Sequence, residues 1–120
     1  MADFHEPIDK LTETTKNYSR ALKSLKEEVE AIDWYGQRVD ASDDPALAAI
    51  MAHNRDEEIE HACMALEWLR RNMPEWDEAM RTFLFTSGDI TELEESSQEG
   101  GGEGPAGGGS SSGLGIGGKK

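Results

Sequence analysis

A Glu-x-x-His pair, Glu58 and His61, lies in the second of two long helical patterns in this sequence. Residues three apart share one face of a helix, so the carboxylate and the imidazole can reach one metal ion together. The pair belongs to a heptad row that should pack against another helix, made of Leu47, Met51, Asn54, Glu58, His61, Ala65 and Trp68. Because a carboxylate in an apolar interface is costly unless it is paired or bound to metal, this position indicates a metal site.

A second acid, Glu28, lies in the apolar row of the first helical pattern, between Leu25 and Ile32. Tyr35 follows one heptad later, where its hydroxyl could hydrogen-bond a ligand carboxylate or lie beside a bound metal. Glu28 and Glu58 each lie 15 residues from a turn centred near residue 43. Equal distances from the turn give equal heights in an antiparallel helix pair, so we expect the two acids to face each other with His61 close by.

The elements that must position these residues are helices, and the sequence predicts an all-α fold. The first helix should run from Pro7 to about residue 40, and the second from Pro45, with Asp44 as its N-cap, to about residue 72. A short third helix should span about 74–86, and Asp89 should cap a final turn. We expect three parts: residues 1–95 as a helical hairpin domain, 96–112 as a flexible, disordered Gly/Ser-rich linker, and 113–120 as a docking peptide.

The charge of the chain excludes some functions. With 25 acidic and 12 basic residues and a net charge of −13, it lacks the clustered basic residues that nucleic acid binding requires, whereas an acidic field attracts cations. The single cysteine, Cys63, excludes an internal disulfide and fits a reducing cytosol; we expect it to be a small core residue. No apolar run approaches the ~20 residues that span a bilayer, and no signal peptide opens the chain, so we expect no membrane partner and a cytoplasmic protein.

Four-helix proteins with a di-metal centre take one Glu from each of two helices and a Glu-x-x-His from each of the other two. This chain has one of each, which is half a site, so a homodimer should form the four-helix bundle and complete it. Four carboxylates from two copies would balance two divalent ions, and a ligand set without thiolates suits iron, manganese or zinc. His53, Glu57 and Glu60 share another face of the helix, which we expect to be solvated; a weak cation site on this face remains an alternative.

Several blocks resemble the encapsulated ferritins. They are residues 27–35 (EEVEAIDWY), 37–41 (QRVDA), 53–58 (HNRDEE), 60–62 (EHA), 66–71 (LEWLRR) and 81–86 (RTFLFT). The ending 113–117 (GLGIG) is similar to the peptide that targets such proteins to an encapsulin shell.

This resemblance implies a half-ferritin that dimerises around a di-iron ferroxidase centre, with two iron ions per dimer, and whose dimers form a ring, typically a decamer. It implies oxidation of Fe²⁺ by oxygen and storage of the iron inside a cytoplasmic encapsulin nanocompartment, to which residues 113–120 recruit the protein. Glu28, Glu58 and His61 match the iron ligands, and Tyr35 matches a tyrosine near the centre. Glu27, Glu30 and Trp34 match positions along the path by which metal reaches it.

Two other functions remain open on the sequence. One is a di-iron protein that consumes peroxide and resembles rubrerythrin. The other is a non-catalytic metal carrier or structural bundle that its tail makes into cargo.

Overall fold

The computed structural model describes residues 4–94, and all the regular secondary structure in this range is helical. A 3₁₀ helix, Ile8–Lys10, is followed by α1 (Glu13–Ala41), α2 (Pro45–Asn72) and α3 (Pro74–Phe83). The all-α class and the order of two long helices and a short one are confirmed. The chain divides after Pro74 into two compact units. The linker and terminal peptide lie outside the described residues.

The predicted start of the first helix at Pro7 is wrong. The helix begins at Glu13, because Thr12 is its N-cap: the Thr12 side chain accepts a hydrogen bond from the Thr15 backbone amide at 3.1 Å. Leu11, after the 3₁₀ turn, has an extended backbone that separates the two helical pieces. The cap residue, which satisfies an otherwise unpaired amide, decided the boundary.

The turn between α1 and α2 has the predicted chemistry. Asp44 caps α2, its Oδ1 accepting hydrogen bonds from the amides of Ala46 at 2.9 Å and Leu47 at 3.3 Å. Pro45 occupies the first helical turn, where its missing N–H costs nothing. Because the turn is short, α2 must reverse direction beside α1.

Contacts near the far end of the hairpin confirm the antiparallel register. The Tyr18 hydroxyl of α1 donates a hydrogen bond of 2.7 Å to the carbonyl of Asn72, at the end of α2. The Tyr18 and Trp68 rings meet edge to face, with their centroids 6.2 Å apart. Tyr18 precedes Glu28 by ten residues and Trp68 follows Glu58 by ten, so this contact and the acid pair share one register.

The heptad row predicted on α2 does not form the centre of the packing against α1. The buried residues of the hairpin are Ala62 and Leu69, at 7% and 0% exposure; they follow His61 and Trp68 by one residue, or about 100° around the helix. In the row, Glu58 and Ala65 are half-buried and Trp68 is exposed. The row therefore lies along the edge of the α1–α2 contact.

The hairpin exposes many large apolar side chains. Eight of them are between 38% and 66% exposed: Leu22, Val29, Trp34, Leu47, Ile50, Ile59, Met64 and Trp68. Two buried residues make a small core for helices of 29 and 28 residues. None of the helices in the described part of the chain has the length and apolarity needed to cross a membrane.

The unit after Pro74 contains α3, which ends at Phe83 rather than at the predicted residue 86. Phe85 adopts a left-handed backbone conformation, with φ of 59°, which ends the helix. Asp89 caps the next helical segment as predicted, its Oδ1 accepting a hydrogen bond from the Thr91 amide at 3.0 Å, and residues 90–94 are helical.

Candidate metal centre

The two long helices bring Glu28, Glu58 and His61 together at the middle of the hairpin. His61 Nδ1 lies 3.7 Å from Glu28 Oε1 and 3.5 Å from Glu58 Oε1, and one ligand atom from each residue lies within 4.8 Å of the others. Among the described residues, this is the one group of three or more acidic, His or Cys side chains with such a spacing. Their predicted meeting is thus found in the structure.

The electrostatics of the centre favour a positive charge between the acids. A hydrogen bond between the side chains of Glu28 and Glu58 raises the pKa of Glu28, and burial and the negative charge of Glu58 raise it further. His61 acts in the opposite direction. Two carboxylates this close cannot both be charged at no cost, so a shared proton or a cation is needed. The arrangement fits a divalent metal ion.

The trio is less buried than the sequence predicted. The side chains of Glu28 and Glu58 are 25% and 26% exposed, and that of His61 is 49% exposed. The centre therefore lies at the surface of the hairpin, next to exposed apolar residues of both helices. One chain thus offers two carboxylates and one imidazole as candidate ligands.

Tyr35 is half-buried on α1, and the Arg38 guanidinium lies over its ring, 5.4 Å from the centroid. This cation–π contact holds the aromatic ring from one side. Arg38 was not among the predicted site residues, although its i, i+3 spacing from Tyr35 could have indicated the contact.

The remaining candidate residues are separate from the trio. Glu27, Glu30 and Trp34 are exposed, with Trp34 at 50%, and the charge of Glu27 contributes to the raised pKa of Glu28. His53 Nε2 pairs with Glu57 Oε2 at 3.1 Å, but Glu60 does not join them in a three-residue cluster.

The expected core position of Cys63 is wrong. Its thiol is exposed, because Ala62, rather than its neighbour, faces α1.

A helical hairpin that carries a carboxylate–histidine centre across its two helices defines a ferritin-like class of protein. The family model described as EncFtn-like matches residues 3–87. The chain therefore belongs to the EncFtn-like family, and the resemblance to encapsulated ferritins is confirmed.

Three similar proteins and one solved structure support this assignment. A ferritin-like protein of Thermotoga maritima is 58% identical over 83% of this chain and 89% of its own length. An encapsulated ferritin-like protein of Rhodospirillum rubrum is 60% identical over 83% of this chain and 71% of its own. The encapsulin nanocompartment cargo protein EncC of Myxococcus xanthus is 36% identical over 86% of this chain and 84% of its own length. The crystal structure of protein ne0167 from Nitrosomonas europaea superposes with a TM-score of 0.72 at 49% identity, over 74% of this chain and 98% of that chain.

Proposed function

We propose that this protein is a ferroxidase that oxidises Fe²⁺ with oxygen at a di-iron centre shared between two copies of the chain. The observation that supports the proposal most is the meeting of Glu28, Glu58 and His61 on the open side of the hairpin. Two carboxylates and one imidazole are too few ligands to enclose a metal. A two-fold axis beside this site would bring an equal set from a second copy.

The charges of the completed centre suit two ferrous ions. Two copies supply four carboxylates and two neutral imidazoles, so four negative charges meet two Fe²⁺ ions. Each ion gives one electron to the same oxygen molecule, which takes two protons from water and leaves as hydrogen peroxide, so two Fe³⁺ ions remain with two excess positive charges. In this proposal Glu28, Glu58 and His61 hold the substrate ions while they are oxidised.

The exposed apolar surface supports association of two copies. Leu47 and Trp68 belong to the same row of α2 as Glu58 and His61, and they are 47% and 38% exposed. Removing such side chains from water is worth about 1.5–3 kcal/mol each when burial is complete. A second copy packed on this row would bury them and shield the metal centre. In the same proposal, the dimers associate into a ring of ten chains.

Other residues of the hairpin have supporting roles in this proposal. Tyr35, one heptad after Glu28 on α1, would hydrogen-bond a ligand carboxylate or lie beside the bound ions. Glu27, Glu30 and Trp34 are exposed near Glu28 in sequence, and acids at the surface can attract Fe²⁺ toward the ligands.

We also propose that the protein works as cargo of an encapsulin nanocompartment. Two of the relatives carry names that state encapsulation or encapsulin cargo, and residues 113–120 end this chain with the GLGIG motif. In this proposal, that peptide binds the shell, and the oxidised iron is stored inside.

The test is Fe²⁺ oxidation by wild type, Glu28→Ala and His61→Ala under aerobic conditions, with Glu60→Ala as a control at an exposed acid of α2. We expect both ligand variants to lose most of the oxidation rate and the control to keep it. Unchanged oxidation rates in the two ligand variants would contradict the ferroxidase proposal and favour a non-catalytic metal carrier. The amounts of oxygen and of peroxide consumed during Fe²⁺ oxidation distinguish a ferroxidase from a peroxide-consuming enzyme.

The shared nature of the centre is tested by dilution. Metal content and oxidation rate should both fall as the protein dissociates into single chains, with one iron per chain in the associated form. A monomer that keeps full activity would contradict the shared centre.

A further inference from the structure

Asn54 is a polar residue in the apolar row of α2 that the metal centre does not use. It lies one helical turn before Glu58 and one turn after Met51 in the row. Its side chain is half-buried, and among the hydrogen bonds of residues 4–94 its carboxamide has no protein partner, while the other asparagines of the helices, Asn17 and Asn72, do.

An unpaired carboxamide in this place has a cost once the row is covered. In a single chain, water can reach Asn54. When a second copy covers Leu47, Met51 and Trp68, that water is excluded, and a buried amide must then find a protein partner. A polar residue among the apolar residues of a helix seam can select one register among many, and Asn54 is the polar member of this row that the metal centre does not use.

We infer that Asn54 is a positioning residue that pairs with a polar group of a second copy and thereby fixes the register in which the two half-sites meet. The inference rests on the shared centre proposed above and adds the residue that aligns it. Apolar contacts in a heptad row tolerate a shift by one turn, whereas a hydrogen bond does not.

The register matters because the metal centre has little tolerance. A shift by one helical turn moves a side chain by about 5.4 Å along the axis, whereas nitrogen and oxygen ligands lie about 2.0–2.2 Å from a metal such as zinc. A slipped dimer would bury the same apolar side chains and yet hold two incomplete sites.

The single thiol of the chain allows the register to be measured without iron. Cys63 is the one cysteine and is exposed, so a spin label on it reports the distance between copies by pulsed electron resonance. We would compare metal-free wild type, Asn54→Leu and Asn54→Gln, which keeps the carboxamide. Asn17→Leu is the matched control, because Asn17 is exposed on α1.

We expect one narrow distance in wild type and in Asn17→Leu, and a broadened or second distance in Asn54→Leu, with Asn54→Gln closer to wild type. The Asn54→Leu protein should remain associated yet bind Fe²⁺ at least about tenfold more weakly, comparable to losing a supporting group of a metal site. If circular dichroism shows that Asn54→Leu does not fold, Asn54→Ala replaces it as the apolar variant.

A single unchanged distance in the apolar variant would overturn the inference, and so would a wild-type protein that never associates. These outcomes are independent of catalysis. If wild type associates in one register that depends on Asn54 but oxidises no iron, the ferroxidase proposal fails while the role of Asn54 stands.

Discussion

At the scale of single residues, the candidate metal centre depends on two carboxylates that are held close together. The hydrogen bond between Glu28 and Glu58 raises the pKa of Glu28, so protons and metal ions compete for the same place. His61 adds a neutral or positive group at 3.5 Å from Glu58. The site is therefore under electrostatic strain that either a proton or a cation relieves.

Replacing Glu28 with Gln should make the metal-free protein more stable at pH values above the raised pKa of Glu28. A raised pKa in the folded state contributes stability that is complete below the ordinary value of 4.5 and is lost as the pH rises through the raised pKa. Above the raised pKa of Glu28 the wild type therefore carries a repulsion that Glu28→Gln lacks. Melting temperatures of both proteins in a chelator, measured from neutral pH down to about pH 4.5, should converge on acidification. A difference independent of pH would show that the two acids do not share a proton.

At the scale of elements, the ends of the helices fix where the ligands lie. Asp44 sets the start of α2, and the interval from this cap to Glu58 sets the height of the ligand on the hairpin. At the other end, Tyr18 ties α1 to the last turn of α2 through the Asn72 carbonyl. The position of the centre is thus set by contacts ten or more residues away from it along the chain.

Asp44→Ala should destabilise the hairpin by about 1 kcal/mol, within the 0.5–2 kcal/mol typical of a lost N-cap. Two backbone amides, of Ala46 and Leu47, lose their acceptor. Urea denaturation followed by circular dichroism measures the change. Asp44→Asn, which can still cap the helix, should lose much less stability than Asp44→Ala. Equal losses of stability in the two variants would mean that the charge of Asp44, rather than its capping hydrogen bonds, is responsible.

The last turn of α2 should be sensitive to acid through Glu67. Its carboxylate accepts hydrogen bonds from Arg70 and Arg71, and these lower its pKa to about 2. A lowered pKa contributes stability above the ordinary value of 4.5, which is lost as the pH falls toward about 2.

Glu67→Gln should therefore be less stable than wild type at neutral pH, and the difference should vanish between about pH 4.5 and 2. Thermal denaturation at several pH values measures this. Glu60→Gln, at an exposed acid on the same helix, should not show the same dependence; if it does, the general acidity of the chain rather than the arginine pair is the cause.

At the scale of the whole molecule, the hairpin has too little buried surface to be a finished domain. Leu69 is the one side chain in the described part of the chain that is fully buried, while apolar side chains line the outside of both long helices. Small chains with such cores rely on association. The same association would complete the metal centre, so stability and activity should depend on each other.

Removal of residues 113–120 should leave Fe²⁺ oxidation unchanged and abolish co-purification with an encapsulin shell protein. These residues follow a Gly-rich segment and supply none of the candidate ligands. Co-expression with a shell protein, followed by size-exclusion chromatography, measures encapsulation. Continued encapsulation of the shortened chain would contradict the targeting role.

The sequence by itself determined the helices and the register of the acids. Their periodicity, the Asp44–Pro45 start and the equal distances of Glu28 and Glu58 from the turn are local properties of the chain, and local hydrogen bonds enforce them. The predicted start of α1 at Pro7 was wrong because Thr12, rather than a residue near Pro7, caps the helix.

Only the tertiary structure decided which faces are covered. It placed Ala62 and Leu69, rather than the row through His61 and Trp68, against α1, and it exposed Cys63. A heptad pattern states that a face is apolar but not which helix covers it, because the contact with α1 and a contact with a second copy demand the same residue types. That ambiguity is physical: burial depends on the packing angle of two helices, which no single helix encodes.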